Sequence, residues 1–218
     1  MLRIKICCIS SIEEAMLAIE AGASALGLVG KMPSGPGPIG DDLIKEIATK
    51  VPPPVATFLL TSETTSEGII QHHHRTLTNT IQIVDLPETD TYKKLRDYIP
   101  NVKIVQVIHV INEDSVKLAL NVSGEVDALL LDSGNPNLPI KQLGGTGRVH
   151  DWKLSRQIRE NAKCPVFLAG GLKPENVRQA IKEVNPFGVD VCSGVRTEGK
   201  LDRQKLKEFI TNAMNAQG

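Results

Sequence analysis

The sequence predicts an α/β fold of the closed (β/α)8 kind, a TIM barrel, as a single domain over residues 1–218. Two observations carry this. Short apolar or β-branched runs alternate about eight times with segments of helical periodicity, which calls for parallel strands joined by crossover helices. The units average roughly 27 residues and repeat to the C-terminus with no linker, which favours closure over an open doubly wound sheet.

The strands are expected near Ile4–Ile9, Ala25–Leu28, Val55–Leu60, Thr80–Val84, Lys103–Val110, Ala128–Asp132, Val166–Ala169 and Gly188–Cys192. In the first helix Ser11 is placed to cap, Glu13 and Glu14 suit the positive end of the dipole, and Ala15, Ala18 and Ile19 form the apolar stripe. Gly22 ends it. Pro52-Pro53-Pro54 reads as a stiff connection into the third strand. Similar recurrence marks the helix after Asp41 (Leu43, Ile44, Ile47), the one after Lys173-Pro174 (Val177, Ala180, Ile181) and the last (Leu206, Phe209, Ile210, Ala213).

Composition narrows the function. Lys+Arg and Asp+Glu are both 25, and no basic stripe is present, which argues against nucleic-acid binding. Apolar runs such as Ala128–Leu131 fall far short of the roughly 20 residues of a membrane helix. Met1–Ile6 alternates polar and apolar residues, unlike a signal peptide, so a cytoplasmic protein is expected. Cys7, Cys8, Cys164 and Cys192 lack paired C-x-x-C spacing, which favours reduced thiols over a disulfide frame or metal site.

Barrels place chemistry at the C-terminal ends of their strands. Alternation turns Ile4 and Ile6 toward the helices and Lys5 and Cys7 inward, with Cys7 at the rim. It turns Asp132 inward at the rim of the sixth strand and Asp190 inward on the eighth, where closure would pair Asp190 with Lys5. Gly170-Gly171 before Pro174, and Ser193-Gly194 after the eighth strand, form adjacent loops that let backbone N–H groups approach an anion. Pro174 is expected in the first turn of the following helix. Gly144–Arg148 lacks the Lys-Ser/Thr of a P-loop and reads as a mobile cover.

Four separated motifs resemble the phosphoribosylanthranilate isomerase family of tryptophan biosynthesis over nearly the whole chain. They are Lys5-Ile6-Cys7-Cys8-Ile9-Ser10; Leu130–Ser133 with Gly144–Arg148 and Asp151-Trp152; Gly170-Gly171-Leu172 with Pro174–Val177; and Pro186-Phe187 with Asp190–Val195. The resemblance implies an aldose–ketose isomerase performing an Amadori rearrangement without cofactor or metal, with Cys7 as general base and Asp132 as general acid. Phosphate is expected on Gly170, Gly171, Ser193 and Gly194, and other substrate contacts are assigned to Lys5, Gln82, Gly145 and Arg148. A small phosphosugar is the expected partner, with no nucleic acid or membrane, and the chain a monomer or homodimer.

The chain also departs from the family pattern. Where an arginine usually follows the second strand there is Ser34-Gly35-Pro36-Gly37-Pro38-Ile39, so a bidentate carboxylate contact is missing; Lys31 and Arg148 are candidate substitutes. After the fourth strand Gln82 is kept, but Val84-Asp85 replaces a His-Gly pair, and Asp85 would repel an aryl carboxylate unless turned away or paired. Cys8 stands where the family has glycine and is expected to pack against the helices, at some cost to the turn. His72-His73-His74 is read as an exposed helix end, since consecutive helical residues point in three directions. His109 and His150 are left unassigned. A phosphosugar isomerase with a different N-linked group, or a phosphosugar-binding protein with little catalysis, are the competing readings.

Overall fold

The computed structural model describes residues 2–134, 141, 143 and 149–217. Its strands are β1 (Arg3–Ile6), β2 (Ala25–Val29), β3 (Ala56–Thr61), β4 (Thr80–Ile83), β5 (Lys103–His109), β6 (Ala128–Asp132), β7 (Val166–Leu168) and β8 (Gly188–Val191). The helices are α1 (Ile12–Ala21), α2 (Asp41–Lys50), α3 (Ser66–Thr76), α4 (Thr91–Tyr98), α5 (Glu113–Val122), α6 (Trp152–Asn161), α7 (Val177–Val184) and α8 (Arg203–Met214). A small antiparallel hairpin, β9 (Arg196–Thr197) and β10 (Lys200–Leu201), lies between β8 and α8. Strands β1 to β8 pair in parallel in sequence order, and β8 returns to β1 with Lys5 opposite Asp190. The closed barrel is the expected fold.

Local chemistry explains the elements. The Ser11 hydroxyl accepts from the Glu14 N–H at 3.2 Å, and Gly22 ends α1 in the left-handed region at φ 108°. Each strand begins and ends within one residue of its expected bounds except β1, which starts at Arg3 and stops at Ile6. Helix α7 begins at Val177, so Pro174 lies in the turn before it and not in its first turn. Among the described residues no helix is long and apolar enough to cross a membrane.

Strand alternation divides the core in two. Ile4, Ile6, Leu129, Leu131, Val189 and Val191 pack outward against helices, joined by Leu206 and Phe209 of α8. Each such buried aliphatic or aromatic side chain contributes roughly 1.5–3 kcal/mol. Phe58, Leu60, Val105, Val107, Leu130 and Phe167 fill the barrel, and the Phe58 and Phe167 rings meet edge to face at 6.0 Å. Inside the closing seam the fully buried Lys5 Nζ lies 2.9 Å from Asp190 Oδ1 and 5.3 Å from the Phe58 ring centre. Lys5 is fully buried and Asp190 nearly so, and each charge depends on the other.

The histidine run is not an exposed helix end. His72 and His73 are buried and only His74 is exposed. Gly30 on the loop after β2 opens the space: a Cβ there would lie 2.4 Å from the His72 ring. His72 bonds the Thr61 hydroxyl through Nδ1 at 2.8 Å and faces Asp41 through Nε2 at 3.2 Å, while His73 Nε2 meets the Thr78 carbonyl at 2.7 Å. The divergence by helical pitch stands, but two of the three directions lead inward.

Candidate active site

A cavity of about 720 Å³, partly open to solvent, lies at the C-terminal end of the barrel. Cys7, just beyond β1, and Asp132, the last residue of β6, both line it, and so do Gln82, Gly170, Gly171 and Ser193. Six of the ten residues read from the sequence as site residues thus meet on one surface.

The other four fall elsewhere. Lys5 and Gly194 are not on the wall, and Gly145 and Arg148 lie outside the described residues. Lys5 is beneath the floor, held by Asp190, which does reach the cavity. Gly194 has a packing reason: a Cβ there would lie 2.0 Å from the Leu172 carbonyl oxygen, so only glycine lets the loop after β8 close on the loop after β7. Across from it, Gly170 and Gly171 adopt φ of 79° and 63°, and the Asn176 side chain donates to the Gly171 carbonyl at 3.0 Å. This rim is mostly backbone.

Gly27 of β2 is a residue that sequence reading missed. A Cβ there would lie 2.7 Å from Cys7 Sγ and 2.9 Å from Lys5 Nζ, so its missing side chain provides the room that the thiol and ammonium occupy. A glycine inside a strand is the sequence signal for such close approach.

The electrostatics of the two reactive groups are set by burial and neighbours. The neighbouring Cys8 side chain is the main influence holding the Cys7 thiol below its ordinary range; burial opposes this, and the Lys5 ammonium adds to it. Burial raises the Asp132 carboxyl above the usual carboxylate range, while the Ser133 N–H at 2.7 Å and His109 pull the other way. For Lys5 burial, the largest single effect, works against the charge, yet Asp190 together with the Cys7 and Cys8 sulfurs outweighs it and keeps the ammonium protonated. The Gln82 carbonyl oxygen is buried with no hydrogen-bond partner among the described residues and belongs to a side chain on the cavity wall.

Cys8 is not packed against the helices. Because β1 ends at Ile6, strand alternation no longer governs position 8; Cys8 takes φ 61° and turns its thiol to the cavity, where Sγ donates to the Pro36 carbonyl at 3.6 Å. The expected cost to the turn is therefore present, since a non-glycine residue occupies a left-handed conformation. Gly37 at φ 88° leaves the space, as a Cβ there would lie 2.7 Å from Cys8 Cβ.

The opposite rim is made by Met32, Ser34, Gly35 and Pro36 after β2, with Val84 and Leu143. Lys31 is exposed and absent from the wall. Asp85 is paired with the Lys141 ammonium, and the Lys141 carbonyl accepts from the Ser34 hydroxyl at 2.5 Å. Lys141, which sequence reading did not single out, thus ties together the loops after β2, β4 and β6. Its signal is weak because it lies far in sequence from both partners.

Comparison with known proteins agrees with this geometry. Residues 4–212 match the family model described as N-(5'phosphoribosyl)anthranilate (PRA) isomerase. The chain is 37% identical over 216 residues to N-(5'-phosphoribosyl)anthranilate isomerase 2 of Methanosarcina mazei, covering 98% of this chain and 95% of that protein. Phosphoribosyl anthranilate isomerase of Thermotoga maritima superposes with a TM-score of 0.83 at 33% identity, covering 99% of this chain and 100% of the other. A phosphoribosyl anthranilate isomerase solved with reduced 1-(o-carboxyphenylamino)-1-deoxyribulose 5-phosphate gives a TM-score of 0.79 at 31% identity, with the same coverage. With barrel, cavity and comparisons in accord, this chain belongs to the N-(5'-phosphoribosyl)anthranilate isomerase family.

Proposed function

We propose that the chain catalyses the Amadori rearrangement of N-(5-phosphoribosyl)anthranilate to the 1-deoxyribulose 5-phosphate product by general acid–base catalysis. The observation that carries this is the meeting of a thiol and a raised carboxyl in one cavity, flanked by a glycine-built rim suited to phosphate. Asp132 in its acid form gives its proton to the furanose oxygen as the C1′–O bond breaks, and the anthranilate nitrogen's lone pair forms the Schiff base. The Cys7 thiolate then removes the C2′ proton, and the electrons of that C–H bond neutralise the iminium. Uptake of a proton at C1′ and loss of one from the C2′ hydroxyl complete the ketone. C1′ is reduced as C2′ is oxidised, so no outside oxidant or reductant enters.

The two environments suit these roles. An acid must be protonated near neutrality, which burial favours for Asp132, and a base must be ionised, which Cys8 and Lys5 favour for Cys7. Gly170, Gly171 and Ser193 are assigned to the phosphate, with Gly194 holding their loops together. Gln82 is assigned to a substrate hydroxyl. At the far rim Lys141, which is not on the cavity wall but is held beside it by Asp85, is assigned to the aryl carboxylate, as a point charge where the family pattern has a bidentate arginine.

The test is turnover of N-(5-phosphoribosyl)anthranilate by the purified chain, followed as loss of anthranilate-type fluorescence. Turnover abolished by Cys7→Ser supports the reading. Folded protein that turns over none of this substrate rejects anthranilate as the attached group.

A further inference from the structure

We propose that Arg196, together with Glu14, is the positioning clamp for Cys7. The inference rests on the reading of Cys7 as general base. The turn after β1 passes through Cys8 at φ 61°, a backbone conformation that residues other than glycine keep only when their surroundings enforce it. The enforcing contacts come from the hairpin beyond β8. Arg196 Nη2 donates to the Cys8 carbonyl and, at 3.4 Å, to the Cys7 carbonyl.

The guanidinium is fixed in its turn. Nη1 donates to Glu14 Oε1 at 2.9 Å and to the Gly199 carbonyl at 2.9 Å, and Nη2 donates to Glu14 Oε2 at 3.0 Å. Glu14 of α1 uses the same two oxygens to accept from the Ser10 N–H at 3.0 Å and the Leu201 N–H at 2.8 Å. The pair is nearly buried, with side chains 8% and 13% exposed. Neither residue lines the cavity, so the clamp acts through Cys7 and does not touch substrate.

This matters because proton removal from carbon is sensitive to where the base points. A misplacement of about 1 Å in a reacting group costs on the order of 10²-fold in rate. The Arg196 guanidinium meets three carbonyls and both Glu14 carboxylate oxygens, more acceptors than the three N–H donors of an ammonium can serve. The clamp therefore does for Cys8 what a glycine's conformational freedom would otherwise do: it keeps the turn left-handed and the preceding thiol aimed.

The experiment compares Arg196→Lys and Arg196→Met in the parent and in a Cys8→Gly background, with Cys7→Ser alongside. It reads kcat, KM, inhibition by inorganic phosphate and thermal unfolding. Arg196→Lys keeps a charge for Glu14, so it folds even if Arg196→Met does not. We expect it to lower kcat by about ten- to a hundredfold while KM and phosphate inhibition stay within about twofold. In the Cys8→Gly background the same substitution costs less, because glycine holds the left-handed turn unaided. Parental kcat in Arg196→Lys, a loss that only follows the folded fraction, or an equal loss in both backgrounds overturns the inference. If Cys7→Ser keeps full activity the reading of the base falls, and this inference with it; if Cys7→Ser is inactive while Arg196→Lys is not, the clamp alone falls.

Discussion

The two rims of the cavity are built from different materials. The rim after β7 and β8 is mostly backbone, with two glycines at positive φ and a third that lets the Leu172 carbonyl approach. The rim after β2, β4 and β6 depends on side chains and on the pairing of Asp85 with a half-exposed Lys141. A backbone-built rim tolerates few residue types at its turns, so its motif stays recognisable. A side-chain rim can be rebuilt by moving one charge from one loop to another, and on the proposed reading the cation, Lys141, stands on a different loop from the arginine of the family pattern.

The largest expected effect lies between the rims. Cys7→Ser and Asp132→Asn should each lower kcat by about 10²–10⁴ while changing inhibition by inorganic phosphate only a few fold. Steady-state kinetics with phosphate as inhibitor checks both numbers. Parental kcat in either variant would remove that residue from the mechanism and leave the rims without a shared reacting centre.

Next comes an acid sensitivity behind the rim after β7 and β8. Burial pushes the His150 imidazole down to about 4, against a weaker opposing pull from Asp151. Its Nε2 meets the Ser155 hydroxyl at 2.6 Å, and Nδ1 lies 2.9 Å from where a Gly170 Cβ would stand. The unfolded chain protonates this ring near its ordinary value of 6.5, so between pH 6.5 and 4 unfolding takes up a proton. Stability therefore falls on acidification through that window, by about 3 kcal/mol in all. Denaturant unfolding at pH 7 and pH 4.5 should show a smaller drop for His150→Phe than for the parent. Equal drops would mean that the ring is not held neutral.

The backbone rim itself is broken by Gly194→Ala. The new Cβ must push away the Leu172 carbonyl, and overpacking of this kind costs about 1–3 kcal/mol. Phosphate inhibition should weaken while the aryl rim is untouched. An alanine variant of parental stability and phosphate affinity would mean that the loops move apart freely.

Much of this was legible in the sequence for a physical reason. The Lys5–Asp190 pair follows from strand alternation plus closure, because both side chains must point inward on neighbouring strands. Cys8 was not legible in the same way: alternation applies only inside a strand, and the left-handed turn is enforced by Arg196, 188 residues away in sequence. The burial of His72 depends on a hole opened by Gly30 on another loop, and the role of Gly27 depends on what β1 presses against it. Residue type and periodicity carry local geometry; contacts between loops of different units are outside their reach.

Lys141 offers the sharpest way to separate the two rims. If its ammonium serves the aryl carboxylate, then Asp85 competes with the substrate for it, and the two residues should have opposite effects on substrate binding. Lys141→Met removes the cation and should raise KM about tenfold, a size suited to one charge-assisted contact at a half-exposed site. Asp85→Asn frees the cation and should lower KM by a factor of about two to three, less than the first effect because the rim pair is partly screened by water. Neither change reaches the phosphate loops, so inhibition by inorganic phosphate should stay constant in both, and kcat should move by less than about twofold. Lys141→Arg should hold or lower KM, since a guanidinium grips a carboxylate with two donors. Measured together, these three KM values fix the sign of each contribution. If KM rises equally in Lys141→Met and Asp85→Asn, the ion pair only braces the loops, and the carboxylate is held elsewhere.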